Sequence, residues 1–133
     1  MKNSDHGAPN RRRTGAAAEA LAVEYLKQRG YQILATNFRP RMNVWRGEID
    51  IVAADEAIIC FIEVKARRSP TADPTESVTV AKRRQIIALA EAYLTTSSAD
   101  ADASCRFDVV SVTLDRDSGA RAITLFQNAF WPE

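Results

Sequence analysis

A chain of 133 residues, 46% apolar and 26% charged, is long enough for one globular domain and too short for two comfortable ones. That composition excludes collagen-like and mostly disordered chains. No apolar run approaches the roughly 18 residues of a membrane span. The opening MKNSDHGAPNRRR lacks the apolar segment of a signal peptide, so the expected address is the cytoplasm, with no membrane partner. The formal charge of +1 hides an asymmetry: residues 1–95 carry 15 Lys and Arg against 11 Asp and Glu, a net of +4, and residues 96–133 carry 3 against 6, a net of −3. The cations also cluster, at Arg11 to Arg13, at Arg39, Arg41 and Arg46, at Lys65, Arg67 and Arg68, and at Lys82 to Arg84. Such clusters suit a polyanion whose phosphates are neutralised several at a time. Scattered solvated charge is the plainer alternative.

Residues 1–12 are polar and aperiodic and read as a flexible basic leader, which leaves 13–133 as a single domain. From Thr14, a candidate cap, Ala18, Leu21, Ala22, Tyr25 and Leu26 repeat at helical spacing, and Gly30 stands where a helix ends. Residues 31–38, YQILATNF, form a strand, followed by a basic loop with Pro40. A second strand runs through Glu48 to Val52. A turn at Asp55-Glu56 leads to a third, Ala57 to Ala66, so the pair reads as a hairpin. Residues 69–76 are a loop with two prolines. A second helix follows from Val80 to Leu94, its apolar face formed by Ile86, Ile87, Ala90, Tyr93 and Leu94. After a polar connection, strands at 106–114 and 122–126 complete the order αβββαββ. This is an α/β arrangement, a central mixed sheet flanked by helices. The one histidine, His6, lies in the leader, so a zinc site or a Ser-His-Asp triad is not expected. Cys60 and Cys105 fall in apolar strand-like runs and read as small buried hydrophobes.

The chemistry concentrates on the hairpin. Strand alternation puts Glu48 and Asp50 on one face and Glu63 and Lys65 on one face, among Ile49, Ile51, Val52, Ile58, Ile59, Phe61, Ile62 and Val64. Buried charges without partners cost several kcal/mol each, so something must offset them. A closed ion-pair network with Lys65 between Asp50 and Glu63 is one solution. Convergence of the carboxylates on a hard divalent cation is the other, since Mg²⁺ takes one or two carboxylates plus water and substrate phosphate. A lysine two residues beyond the second carboxylate then projects beside it, where it can hold a phosphate oxygen or the attacking water.

Asp50, followed by Glu63-Val64-Lys65, resembles the signature of the PD-(D/E)xK nuclease superfamily. The fuller string is Ala22, Tyr25, Leu26, Gly30 and Tyr31, then Gly47-Glu48-Ile49-Asp50, Phe61 to Lys65, and Arg106 to Val110. It resembles the YraN family of predicted bacterial endonucleases, which are similar to archaeal Holliday-junction resolvases. The resemblance covers about residues 13–130. It implies a restriction-endonuclease-like core, with Asp50 and Glu63 as carboxylates holding Mg²⁺ or Mn²⁺, the Val64 carbonyl as a further ligand, and Lys65 as the residue that orients water or stabilises phosphorane charge. Glu19 matches the acidic residue on the first helix of resolvase-like members. Because a four-way junction is two-fold symmetric, the resemblance also implies a homodimer.

The loop Pro40 to Arg46 is longer than the family pattern. The Gln-and-Tyr pair four apart on the second helix of some superfamily nucleases is absent, Gln85 and Tyr93 being eight apart. Arg46, Arg67, Lys82 and Arg83 are candidate phosphate contacts. Glu48 is a secondary candidate. Asp108 alternates so as to share the site's side or to buttress the sheet through an arginine. The expected function is a metal-dependent nuclease hydrolysing phosphodiester bonds in branched or structured DNA. A catalytically silent nucleic-acid-binding module and an assembly factor are the competing readings.

Overall fold

The computed structural model describes residues 11–41, 47–67, 78–96, 103–114 and 121–130. Their order is α1 (Arg11–Gln28), β1 (Gln32–Phe38), β2 (Ile49–Asp55), β3 (Ile58–Arg67), α2 (Val80–Thr96), β4 (Ser104–Leu114) and β5 (Arg121–Phe126). The αβββαββ expectation holds. Helix α1 starts three residues before Thr14, which is therefore inside the helix and not its cap; Arg11 and Arg12, assigned to the leader, are helical. Residues 1–10 of that leader lie outside the described residues.

The end of α1 is decided by Gly30, whose φ of 90° is open to glycine at no steric cost. The Tyr31 N–H donates to Leu26 O at 3.0 Å and the Gly30 N–H to Lys27 O at 3.0 Å. This is the Schellman pairing of a left-handed terminus. Tyr31 and Leu26 then enter the same core cluster, which aims the chain straight into β1.

The five strands pair in sequence order. The β1–β2, β2–β3 and β4–β5 pairs are antiparallel, and β3–β4 is parallel. Parallel neighbours need a crossover, and α2 supplies it. The β2–β3 turn is two residues long, between the paired Asp55 and Ile58, with Glu56 at φ 55°.

Each face of the sheet is covered by one helix. Ala18, Ala22 and Leu26 of α1 bury Ile51, Ala53, Cys60, Ile62, Val110 and Val112. Ile86, Leu89 and Ala90 of α2 bury Ile49, Val52, Ile59, Phe61, Phe107 and Val109. Leu89 is fully buried although the stripe read from periodicity omits it; that stripe's Ile87, Tyr93 and Leu94 pack at its margin. Cys60 is buried and Cys105 half-buried, and both are free thiols. Among the described residues no helix is long and apolar enough to cross a membrane.

Candidate active site

Strand β2 parts from β3 at Asp50. The ladder runs from Asp55↔Ile58 to Ile51↔Ile62 and stops there. The side-chain alternation also breaks, since Ile49 packs on the α2 side and Ile51 on the α1 side. A strand N–H left without its ladder partner must find another acceptor. Here the Val64 N–H donates to Asp50 Oδ2 at 2.8 Å, so the carboxylate fills the place of the departing strand. In an extended strand the N–H and C=O of one residue project to the same side, so the Val64 carbonyl faces the same opening.

Glu63 and Lys65 share the α2 side, as alternation predicts. Glu63 is only 7% exposed. Its Oε2 receives two ammoniums, Lys65 Nζ at 3.5 Å from its own strand and Lys82 Nζ at 4.0 Å from α2. Lys82 is placed by the start of its helix, where Thr79 Oγ1 accepts the Lys82 N–H at 3.1 Å. The expected network is thus partly realised: Lys65 meets Glu63, while Asp50 is held by the backbone. Burial first, then the adjacent Glu63 charge, pushes the Asp50 carboxyl up to about 8; the Val64 N–H pulls the other way, and Glu19 adds to the rise. Two neighbouring carboxyls cannot both ionise cheaply.

The remaining candidates divide. Glu19 is on the border of the α1 apolar face, with Oε1 accepting from Asn37 Nδ2 at 2.9 Å. Glu48 precedes β2 and turns to β1, accepting from Asn37 Nδ2 at 3.2 Å and meeting Arg39 Nε at 3.5 Å. Arg67 ends β3 on the face of Glu63 and Lys65 by strand alternation. Arg83 donates through Nε to Val78 O at 2.9 Å and lies over the Phe130 ring, 5.9 Å from its centroid. Arg46 lies outside the described residues.

Asp108 does not share the site's side. Its register partner is Ile62, so it faces α1, whereas Glu63 is opposite Val109 on the α2 side. The buttressing alternative is what occurs. Arg106 Nε donates to Asp108 Oδ1 at 3.0 Å, and its other nitrogens reach Asp55 Oδ2 at 3.3 Å and the Tyr31 hydroxyl at 2.8 Å.

Asn37 escaped the sequence reading because an exposed amide near a strand end carries no periodic signal. Gly47 is at φ 88°, and a Cβ there would lie 2.9 Å from Gln85 Nε2, so glycine is what lets this amide close over the backbone leading to Asp50. Tyr93 packs at the margin of the core, edge-on to Phe38 and Phe61 at 5.2 and 5.8 Å.

Among the described residues no three His, Cys, Asp or Glu side chains form a ready cation cage. Asp50, Glu63 and the Val64 carbonyl are all oxygen donors on neighbouring stretches of β2 and β3. That set fits a hard cation completed by water and substrate oxygen, and it does not fit zinc, which favours nitrogen and sulfur.

The stretch from α1 through β4, residues 18–112, matches the family described as "Uncharacterised protein family UPF0102", which is the YraN family. The chain belongs to this family. A UPF0102 protein of Chlorobium chlorochromatii (strain CaD3) is 48% identical over 124 residues, covering 90% of this chain and 92% of the relative. One from Moorella thermoacetica (strain ATCC 39073) is 46% identical over 121 residues, covering 90% and 97%. A third, from Acetivibrio thermocellus (strain ATCC 27405), is 42% identical over 125 residues, covering 91% and 93%. The UPF0102 match takes in Glu19, Asp50, Glu63, Lys65 and Lys82 together.

Proposed function

We propose that this UPF0102 protein is a metal-dependent nuclease of the PD-(D/E)xK type, hydrolysing phosphodiester bonds in branched or structured DNA. The observation that carries the reading is Asp50 held on the Val64 N–H at the parting of β2 from β3, next to the buried Glu63 that Lys65 and Lys82 both approach. Two neighbouring acids repel once both ionise, and a bound cation offsets that repulsion. The preference for branched DNA comes from the likeness to junction resolvases.

Asp50, Glu63 and the Val64 carbonyl would hold Mg²⁺ or Mn²⁺. When bound, the cation supplies Lewis-acid polarisation of the phosphate and acidifies water. The chain's own residues do the rest. The Val64 N–H holds the Asp50 carboxylate by Oδ2 at 2.8 Å, which fixes it beside Glu63. Lys65 stands on the Glu63 strand with its ammonium 3.5 Å from that carboxylate; there it can orient water or take up negative charge developing on phosphorus. Lys82 approaches from α2 and adds a second cation for a phosphate oxygen. Arg39, Arg67 and Lys82 extend the positive surface along the substrate.

The test is a cleavage panel of single-stranded, duplex, flapped and four-way-junction DNA with Mg²⁺ and Mn²⁺, using Asp50→Ala as control. Metal-dependent cutting absent from the control supports the reading; binding without cutting moves it to the silent module. Lys65→Met keeps the stem and deletes the cation. It is expected to lower turnover about 10²–10³-fold while leaving DNA affinity nearly intact, because its charge matters most in the transition state. An unaltered rate removes Lys65 from the chemistry. Neutralising about 3–5 phosphates should give a log–log salt slope of roughly −3 to −4.5 on duplex DNA. Binding that does not weaken as salt rises refutes the basic surface.

A further inference from the structure

We infer that Asn37 is a positioning residue of this site, its neutral amide holding Glu19 and Glu48 around Asp50 without discharging them. The inference rests on the nuclease reading above. Asn37 is the penultimate residue of β1 and has φ 50°, in the left-handed region where Asn is enriched among non-glycine residues. Its Nδ2 donates to Glu19 Oε1 at 2.9 Å and to Glu48 Oε1 at 3.2 Å. An amide nitrogen carries two hydrogens, so each carboxylate receives one. One side chain thereby ties α1 to the segment entering β2, two residues before Asp50.

The two acids end differently. Glu48 also meets Arg39 through its other oxygen, so its charge is compensated. Among the described residues Glu19 meets the amide and no cation, and its charge is felt at Asp50. A lysine at position 37 would reach the same oxygens and cancel the charge a metal needs. Asparagine orients the carboxylates and leaves that charge in place. Such a hydrogen bond acts on the metal through the placement and charge of Glu19, and loss of outer partners at metal sites commonly costs 10–100-fold in metal affinity.

The test uses Asn37→Gly, which keeps the left-handed backbone and deletes the donor, alone and combined with Glu19→Gln. Three quantities are read: the metal-free melting temperature, the apparent Mn²⁺ affinity from the metal-induced rise in melting temperature, and the kinetics of junction cleavage. Asn37→Gly is expected to weaken Mn²⁺ binding about tenfold or more and to lower kcat similarly, with KM for DNA within about twofold. In the Glu19→Gln background its effect should shrink to about twofold, because it acts largely through Glu19. A fall in metal-free melting temperature with Mn²⁺ affinity unchanged overturns the positioning role, and so does full additivity with Glu19→Gln. A parent protein with no Mn²⁺ response overturns the nuclease reading, and this role with it; a responsive parent with an equally responsive Asn37→Gly overturns this role alone.

Discussion

Exchanging Asp50 for Asn is expected to stabilise the metal-free protein at pH 8 while abolishing both divalent-cation stabilisation and cleavage. The carboxyl has an ordinary value of 3.8 and is pushed to about 8 in the fold, first by burial and then by Glu63. Between about pH 4 and pH 8 the unfolded chain has released this proton and the folded one keeps it. Stability therefore falls as pH rises across that window, by up to about 1.4 kcal/mol per pH unit. The contribution of the retained proton is full below about pH 4 and gone by about pH 8. Asn has no proton to lose and retains one oxygen for the Val64 N–H. Allowing for relaxation, a gain of about 2 kcal/mol at pH 8, several degrees in melting temperature, is the expected size. With Mg²⁺ present the parent should gain instead, since binding to the folded state alone must stabilise it, and cleavage by the variant should fall at least 10²–10³-fold. Thermal melts from pH 4 to 9 in chelator and in Mg²⁺ decide it. A parent with flat metal-free stability, or an Asp50→Asn variant that still responds to Mg²⁺, is incompatible with this account.

The other large effect lies on the opposite face of the sheet and is independent of any nuclease activity. Replacing Asp108 by Ala should cost about 3–5 kcal/mol, against a total of roughly 5–15 for an ordinary domain. Asp108 is 0% exposed and Arg106 8%. Burial works against the guanidinium charge and the Asp108 carboxylate outweighs it, so Arg106 holds its proton more tightly than usual. Removing the acid strands a buried cation with the half-buried Asp55 and the Tyr31 hydroxyl, and frees the Asn128 N–H that Asp108 Oδ1 accepts at 3.0 Å. Removing both charges, as Arg106→Met with Asp108→Leu, should cost less than Asp108→Ala alone. Urea unfolding of the three variants gives the ordering. Equal stability of Asp108→Ala and the parent would mean the network contributes nothing.

These two carboxylates also mark how far local reasoning reaches. Alternation along a strand is a property of consecutive residues, so the shared face of Glu63 and Lys65 was legible, as were the hairpin at Asp55-Glu56 and the apolar stripe of α1. Short-range chemistry likewise gave the end of α1 at Gly30. Alternation does not say which helix covers which face. That depended on the crossover through α2, and it carried Asp108 away from the side of Glu63.

The start of α1 was missed because a run of arginines carries no apolar signal, although arginine is a good helix former. Leu89 stands three residues after Ile86 at the centre of the buried face, and a stripe drawn through Ile87 and Leu94 is rotated away from it. The sequence by itself determined the element order, the two helix faces and the residues of the hairpin that bear charge. Only the tertiary structure decided that Asp50 replaces a backbone partner of Val64, that Lys82 joins Lys65 on Glu63, and that Asn37 gathers Glu19 and Glu48. Each of those contacts joins residues 11 to 19 positions apart on different elements, and nothing in local periodicity encodes where separate elements meet.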